Sequence, residues 1–482
     1  MWSAAEAFFE CLAESGPQVA LAEGERRLTY AELLGAVAVR GRHLRALGAH
    51  RVALALDNGI DWVLWDLAAL HAGLVCVPLP SFFSAEQQRH VLDSAGIDCL
   101  IGAAAPGFAC VENDIYRRTV VQPAELHPGT CKITFTSGTT GQPKGVCLDL
   151  DTQLAVARSL VAASASRNVE RHLCILPLAT LLENIAGVYA PLLAGARVEL
   201  MPMVQIGLSG ASGFDLMRFL QALQAAQPHS LILLPQLLLA LVSAAERKLP
   251  VPDSLRFVAV GGGRVSTQLL ERADALDLPI FEGYGLSECA SVVCLNTPEQ
   301  RRIGSTGQPL GHLQVTLAAD GEVQVKGARM LGYLGEPAPQ GEWLGTGDLG
   351  HFEQGFLVLH GRKKHQFITA YGRNVNPEWV ESELVQQLPV AQAWLHGEAL
   401  PANVAVLVAR FSNTSDAQLQ EAVDTVNRGL PDYARVHHWL RADAPFSTNN
   451  DLATANGRLR RVALLDHYQS AIDELMAEGV PA

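Results

Sequence analysis

A run of hydroxyl-bearing residues and glycines follows an apolar, β-rich stretch in the segment ITFTSGTTGQPKGV, residues 133–146. Six consecutive positions hold only Thr, Ser or Gly, and Lys144 comes soon after them; the six are Thr136, Ser137, Gly138, Thr139, Thr140 and Gly141. Hydroxyls and unhindered backbone amides in one turn, with a lysine at its end, are typical of a phosphate-binding site. The spacing differs from GxxxxGK[ST], which excludes a P-loop. Composition alone would also allow a flexible surface turn.

Six further motifs follow this segment in order along the chain. They are LPLATLLEN (176–184), GGGR (261–264), FEGYGLSECAS (281–291), GTGDLG (345–350), GRKKHQFITAYGRNVNPEWVE (361–381) and TANGRLRR (454–461). Together with the first segment they resemble the adenylate-forming superfamily, which includes acyl- and aryl-CoA synthetases, luciferases and non-ribosomal adenylation domains. The resemblance covers nearly the whole chain. It implies an acid–thiol ligase that uses ATP and Mg²⁺ to form an acyl-adenylate and then passes the acyl group to a thiol.

The resemblance also implies roles for individual residues. The catalytic residues would be Lys144, Thr139, Glu288 and Arg458, with the segment 136–141 and Lys144 on the β- and γ-phosphates and Glu288 on magnesium. Tyr284 would flank the adenine, and Asp348, an acceptor-only carboxylate, would bind both ribose hydroxyls. The other nucleotide-side residues would be Gly262, Gly263, Gly283, Gly285, Ser287 and Arg362. Taken singly, these residues also have ordinary explanations: a solvated Glu288, a core Tyr284, a turn at Asp348 and a surface Arg362.

Lys364 and Gly372, both in the C-terminal part of the chain, would serve the second half of the reaction. By resemblance, Lys364 lies at the hinge about which the C-terminal lobe rotates, and Gly372 lets a pantetheine arm of coenzyme A or of a carrier protein approach the backbone. A solvated basic face and a simple turn glycine are the alternatives for these two positions.

The sequence departs from the family pattern at several positions. Arg458 stands where relatives have Lys in the tail motif, so the positive charge is kept but the group is planar and forked. A well-placed Arg could bridge two oxygens, whereas a misplaced one would forfeit a contact worth about 3–4 kcal/mol of barrier. Thr180 replaces a His near the acyl pocket, or else caps a helix. Cys289 follows Glu288, and no general base can be assigned to it.

The elements that must position these residues alternate along the chain. Short apolar runs such as 51–56, 73–79, 132–137, 173–178, 230–234 and 255–262 alternate with helical stretches, which favours parallel βαβ units. Gly-punctuated strands follow from about residue 303, and 376–388 is predicted as a helix capped by Asn376 with Pro377 first. We therefore expect an α/β fold: an AMP-binding N-terminal domain (1–361) of two α/β subdomains plus a small β-subdomain, and a mobile α+β lobe (362–482).

Composition excludes several classes of protein. The 482 residues include 36 Lys+Arg and 49 Asp+Glu, giving a net charge of −13, which disfavours nucleic-acid binding. The apolar stretch 230–245 is too short to span a membrane and is predicted as a buried helix. The nine cysteines form no CxxC pair and are expected to be free thiols. With no leader recognisable at the N-terminus, we expect a cytoplasmic protein, of undetermined oligomeric state.

The acid itself is the least determined part of the prediction. Residues 229–246 and 181–193 are strongly apolar and, by resemblance, contribute to the acyl pocket, which favours a small apolar acid, most of all a fatty acid. Medium-chain and aryl acids stay open, and the acceptor is coenzyme A or an acyl- or peptidyl-carrier protein in trans. Two other functions remain: a non-catalytic nucleotide- or acyl-binding protein, because of Arg458, and a serine hydrolase, which lacks a GxSxG elbow.

Overall fold

The computed structural model describes residues 4–137, 143–209, 213–454 and 457–478. The helices are α1 (Ala4–Ala13), α2 (Tyr30–Ala46), α3 (Ile60–His71), α4 (Ala85–Ser94), α5 (Leu150–Ser164), α6 (Ala190–Leu193), α7 (Met203–Ile206), α8 (Leu216–Ala226), α9 (Pro235–Glu246), α10 (Thr267–Asp274), α11 (Pro377–Val385), α12 (Asp416–Gly429) and α13 (Arg461–Glu478). A π-helix, Glu183–Tyr189, precedes α6, and short 3₁₀ turns occupy Ala165–Arg167, Ser287–Cys289, Lys363–His365 and Asp432–Ala434.

The strands complete the set of elements. They are β1 (Val19–Glu23), β2 (Arg26–Thr29), β3 (Arg51–Leu54), β4 (Val75–Pro78), β5 (Cys99–Ile101), β6 (Ala109–Glu112), β7 (Ile115–Arg117), β8 (Lys132–Ser137), β9 (Pro143–Leu148), β10 (Arg171–Leu173), β11 (Arg197–Glu199), β12 (Leu208–Ser209), β13 (Gly213–Phe214), β14 (Ser230–Leu233), β15 (Phe257–Val260), β16 (Ile280–Leu286), β17 (Ser291–Leu295), β18 (Gln308–Pro309), β19 (Leu313–Leu317), β20 (Glu322–Gly327), β21 (Gly332–Tyr333), β22 (Leu344–Glu353), β23 (Phe356–Arg362), β24 (Phe367–Ile368), β25 (Asn374–Val375), β26 (Val390–His396), β27 (Asn403–Ala409) and β28 (Val436–Arg441).

Two large sheets form the N-terminal body. One has the order β18-β17-β16-β15-β14-β10-β11-β1-β2 and the other β21-β9-β8-β4-β3-β5-β7-β6. Their central strands pair in parallel, as in β14 with β15 and β3 with β4. Strand β14 is buried at every position, as expected for a strand covered on both faces. The predicted α/β architecture is thereby confirmed.

The β-subdomain and the C-terminal part of the chain lie where the change in sequence pattern after about residue 303 indicated. Strands β19, β20, β22 and β23 make a separate antiparallel sheet, which is the predicted β-subdomain. In the C-terminal part β26, β27 and β28 form a mixed sheet that packs with α11 and α12. Helix α11 begins as predicted, because the Asn376 side chain accepts a hydrogen bond from the Glu378 amide and Pro377 takes the first helical position. The boundary between residues 361 and 362 stays a prediction, and it falls near the end of β23.

Two local predictions were wrong. The strand expected over 173–178 is only β10, Arg171–Leu173, because Pro177 lies in a turn where the Thr180 amide donates to its carbonyl. The stretch 230–245 is not one buried helix: the apolar run predicted at 230–234 is confirmed as strand β14, and Pro235 then starts α9 at its first position. Among the described residues no helix is both long and apolar enough to cross a membrane.

Candidate active site

A cavity of about 270 Å³ lies against one face of β14 and β15, under the π-helix and α5. Its wall is mainly apolar, with side chains such as Leu181, Ile232 and Ala259. One end is formed by residues that the sequence predicted to lie beside the nucleotide. They are Gly261, Gly262, Gly283, Tyr284, Gly285 and Ser287. The cavity therefore joins a candidate nucleotide site to an apolar pocket.

The two strands that flank the predicted phosphate segment, β8 and β9, pair antiparallel. Strands β8 and β9 pair so that Thr136 lies opposite Lys144 and Ser137 opposite Pro143. Gly138, Thr139, Thr140 and Gly141 lie outside the described residues, so their phosphate contacts stay a prediction. The register places Lys144 opposite Thr136, the first residue of the predicted phosphate segment.

Tyr333 connects Lys144 with the candidate magnesium ligand Glu288. The Lys144 Nζ lies 5.1 Å from the centroid of the Tyr333 ring and 2.8 Å from Oε1 of Glu336. The Tyr333 hydroxyl donates to Oε1 of Glu288 at 2.7 Å. Burial and then the Glu288 charge raise the pKa of the Tyr333 phenol, so it remains a donor. Sequence reasoning missed Tyr333 and Glu336, although the short GYLGE segment carries both.

The predicted ribose and adenine residues meet where β16, β22 and β23 converge. Asp348 is 6% exposed, and its two oxygens accept from the Tyr284 hydroxyl at 2.6 Å and from Nε of Arg362 at 2.8 Å. Burial raises the pKa of Asp348, and the Arg362 charge opposes that shift. Burial and then Asp348 raise the pKa of Tyr284 well above its usual value, which keeps its proton. Asp348 is thus a buried acceptor whose orientation is fixed by two donors.

Backbone packing explains the glycines of this end. A side chain on Gly285 would place its Cβ 1.8 Å from the Ser291 carbonyl oxygen, and one on Gly261 would lie 3.1 Å from that of Gly283. Gly262 has a φ of +75°, a left-handed conformation that favours glycine. A Cβ on Gly263 would lie 3.5 Å from the Pro235 ring, an ordinary contact, and Gly263 does not line the cavity. The close strand approach, rather than flexibility, requires glycine at Gly285.

Arg458 reaches the cavity from the C-terminal part of the chain. Its side chain lines the cavity, and its backbone amide donates to Thr454 Oγ1 at 3.0 Å. Desolvation and then the Arg362 charge lower the pKa of Arg458, while Glu288 is the first acidic group to oppose the shift. The Asp348 charge also raises the pKa of Arg458, so both predicted acidic ligands act electrostatically on the guanidinium.

The two residues predicted for the second half of the reaction lie apart from the cavity wall. Lys364 belongs to the 3₁₀ turn after β23, and burial followed by Arg362 and Arg458 lowers its pKa. Gly372 is exposed in the turn between β24 and β25, with a φ of +71° and open space where a Cβ would lie. Their hinge and pantetheine roles stay predictions.

The unusual residues of the sequence also have a place. Thr180 lines the cavity, and its hydroxyl donates to the Pro177 carbonyl at 2.7 Å, so it does not cap the following helix. Cys289 is fully buried, and burial followed by Glu288 raises its pKa to about 12, which excludes a reactive thiolate. Ser291 was missed: it lines the cavity with a φ of +106°, and its buried hydroxyl has no partner among the described residues.

Comparison with known proteins gives the family. The model of the AMP-binding enzyme family matches residues 8–335, and that of the AMP-binding enzyme C-terminal domain matches residues 364–479. A CoA ligase of Mycobacterium tuberculosis, named for a methyl-dioxo-octahydro-indenyl propanoyl group, is 32% identical over 78% of this chain and 82% of its own length. A 2-succinylbenzoate–CoA ligase of Bacillus cereus is 28% identical over 77% of this chain and 81% of its own.

A solved structure shows the same fold. The o-succinylbenzoate coenzyme A synthetase of Bacillus subtilis, in complex with ATP and magnesium ion, superposes with a TM-score of 0.75 at 23% identity, covering 94% of this chain and 98% of that one. The family models account for most of the chain, and four of the seven ordered motifs contribute residues to one cavity. The chain therefore belongs to the AMP-binding enzyme family of the adenylate-forming superfamily.

Proposed function

We propose that this enzyme is an AMP-forming CoA ligase that activates a ring-containing carboxylic acid. The observation that carries the proposal is the mainly apolar cavity whose wall includes Tyr284 and Arg458. Both curated relatives are named as CoA ligases, each for an acid that contains a ring. The cavity volume of about 270 Å³ is just below the range of ligand pockets, roughly 300–1,000 Å³, which favours a small acid.

The described residues supply positions and charges for the first half-reaction. A carboxylate oxygen of the acid attacks the α-phosphorus of ATP, and the bond to pyrophosphate breaks. Asp348 would accept from the ribose hydroxyls, Lys144 would bind the outer phosphates, and Arg458 would meet charge on the carboxylate and α-phosphate. Such catalysis needs positioned cations more than a general base. Lys144 and Arg458 would be the cations of that arrangement.

Magnesium fits the chemistry of Glu288. This side chain is partly exposed and offers a hard carboxylate oxygen, and Tyr333 links it to Lys144. Mg²⁺ is commonly held by one or two carboxylates together with substrate phosphates. When bound, the ion would neutralise charge on the phosphates. Glu288 would hold it, and Tyr333 would orient that carboxylate.

In the second half-reaction the thiol sulfur attacks the acyl carbon, AMP leaves and the thiol proton passes to solvent. Coenzyme A is the proposed acceptor because both relatives are named as CoA ligases. The fatty acid and the carrier protein predicted from sequence find no support among these relatives. The position of Arg458 on the cavity wall supports catalysis over the non-catalytic alternative.

The test is an adenylation screen with hydroxylamine trapping over aryl, alicyclic, fatty and amino acids. Each active acid is then assayed with coenzyme A and with a holo carrier protein. We expect hydroxamate formation with ring acids and thioester formation with coenzyme A. A preference for fatty acids, or for the carrier protein, would overturn the corresponding part of the proposal.

An inactive control guards against contaminating ligases. Asp348→Asn removes the charged acceptor but keeps its size, and hydrogen bonds to a charged group are worth about 1.5–3 kcal/mol each. We expect at least a tenfold loss of hydroxamate formation. An equal rate in this variant would assign the activity to another protein. Folding is checked by the far-UV circular dichroism of both proteins.

A further inference from the structure

The cavity extends along the strands well beyond its nucleotide end. His172 pairs with Ser230 across β10 and β14, and Ser230 pairs with Phe257 across β14 and β15, so the three form one row across the sheet. All three line the cavity, as do Ala259 in β15 and Gly261 directly after that strand. Gly261 is four positions beyond Phe257, which is about 13 Å at 3.3 Å per residue. The row therefore marks the end of the cavity remote from the nucleotide.

This remote end contains a chain of polar side chains within an apolar wall. Nδ1 of His172 lies 2.8 Å from Ser230 Oγ, and Nε2 lies 3.5 Å from Oε1 of Glu183. Glu183 is fully buried, and its other oxygen accepts from the Leu176 amide at 3.3 Å. Burying such groups is costly unless they are paired, so a chain that ends on the cavity wall requires a reason.

The π-helix is built around this chain. A Cβ on Gly187 would lie 2.5 Å from Oε1 of Glu183 and 3.0 Å from Nε2 of His172, so the missing side chain makes room for both groups. Single π-helical turns are rare and occur frequently at functional sites. The backbone and the side chains thus combine to hold His172 in place behind Ser230.

A metal ion is a poor explanation for these residues. His172, Glu183 and Cys174 have ligand atoms within 4.8 Å of one another. The Cys174 thiol, however, donates to the Gly187 carbonyl at 3.4 Å. Burial and then Glu183 raise the pKa of Cys174 well above its usual value. Because a thiol must lose its proton to bind a metal well, the arrangement favours hydrogen bonding instead.

We propose that Ser230, held by His172 and Glu183, binds a neutral oxygen substituent, hydroxyl or keto, at the end of the acid remote from its carboxylate. The inference rests on the proposed ring-acid ligase. A serine hydroxyl bonded to an imidazole keeps one further hydrogen-bonding valence, and Ser230 lines the cavity. Among the described lining residues Arg458 is the only Lys or Arg, and it lies at the opposite end. A second carboxylate would therefore meet no Lys or Arg at this end and would lie near buried Glu183.

The test compares para-substituted phenylpropanoates that bear hydroxyl, acetyl, hydrogen or carboxylate. Wild-type enzyme is expected to favour the hydroxyl or acetyl acid over the unsubstituted acid by about tenfold in kcat/KM, the size of one net hydrogen bond. The carboxylate acid should be the poorest substrate. Equal kcat/KM values for the oxygenated and unsubstituted acids, or a preference for the carboxylate, would overturn the inference.

Two variants locate the effect. Ser230→Ala should reduce the preference to within about twofold while turnover of the unsubstituted acid continues. Ser164→Ala is the matched control, since Ser164 lines the same cavity but already donates to the Leu160 carbonyl at 3.0 Å. It should keep the wild-type preference. A preference that survives Ser230→Ala, or stoichiometric zinc in the purified wild-type protein, would contradict the assignment.

Binding measured by calorimetry separates this inference from the proposed function. If wild-type protein binds the hydroxyl or acetyl acid more tightly than the unsubstituted acid but turns over none of them, the ligase proposal fails and the Ser230 contact stands. If all of these acids are turned over at equal kcat/KM, the ligase proposal stands and the Ser230 contact fails.

Discussion

Replacing Tyr333 with Phe tests whether this residue orients the magnesium ligand. The substitution keeps the ring beneath Lys144 and removes only the hydroxyl that donates to Glu288 at 2.7 Å. A hydrogen bond to a charged group is worth about 1.5–3 kcal/mol, which is roughly a 10- to 100-fold change in an equilibrium constant. Loss of a group that orients a metal ligand commonly costs about that much in metal affinity.

The assay is ATP–pyrophosphate exchange as a function of free Mg²⁺, with the best acid from the adenylation screen. We expect Tyr333→Phe to raise the half-saturating Mg²⁺ concentration about 10- to 100-fold. Excess Mg²⁺ should restore most of the maximal rate, because the phosphate-binding groups are unchanged. A merely structural defect would lower the maximal rate without this recovery.

Tyr433→Phe is the matched control. Tyr433 is 44% exposed in the 3₁₀ turn before β28, so losing its hydroxyl should leave the Mg²⁺ dependence unchanged. A Tyr333→Phe enzyme with the wild-type half-saturating Mg²⁺ concentration would refute the reasoning, since the 2.7 Å contact would then contribute nothing to ion binding.

Three further predictions concern charge. Arg458→Ala should slow ATP–pyrophosphate exchange by about 10²–10³, whereas Arg458→Lys should retain exchange; equal exchange in wild type and Arg458→Ala would remove the assigned role. Lys132→Met should lower the free energy of unfolding, measured in urea, by about 3–5 kcal/mol, because buried Asp66, 2.9 Å away, loses its cation. Adding Asp66→Leu should recover most of the lost stability. A loss below about 1 kcal/mol in Lys132→Met would contradict the prediction. Burial raises the pKa of Glu282 to about 8, so ionisation of this side chain opposes folding. The free energy of unfolding should therefore fall between about pH 5 and pH 8 in the wild type, and fall less in Glu282→Gln. Urea unfolding midpoints measured at each pH check this expectation.

The superfamily and the α/β fold followed from the sequence alone. The hydroxyl-rich segment, Glu288, Asp348 and the tail cation belong to ordered motifs that resemble those of the superfamily, and the family models confirm that assignment. The alternation of apolar runs with helical stretches predicted parallel units for an equally local reason. Local cues also placed the start of α11 at Asn376 and Pro377, since capping involves neighbouring residues only.

The tertiary structure decided which side chains meet. Tyr333 and Glu288 are 45 residues apart, and His172 and Ser230 are 58 apart. Neither pair forms a motif. The His172–Ser230 contact depends on the register of β10 and β14, and Tyr333 in β21 meets Glu288 in a 3₁₀ turn that is distant along the chain. The sequence therefore predicted a purely apolar pocket. The hydropathy of a sequence identifies buried strands, but it cannot show that a histidine and a serine on adjacent strands line the same cavity.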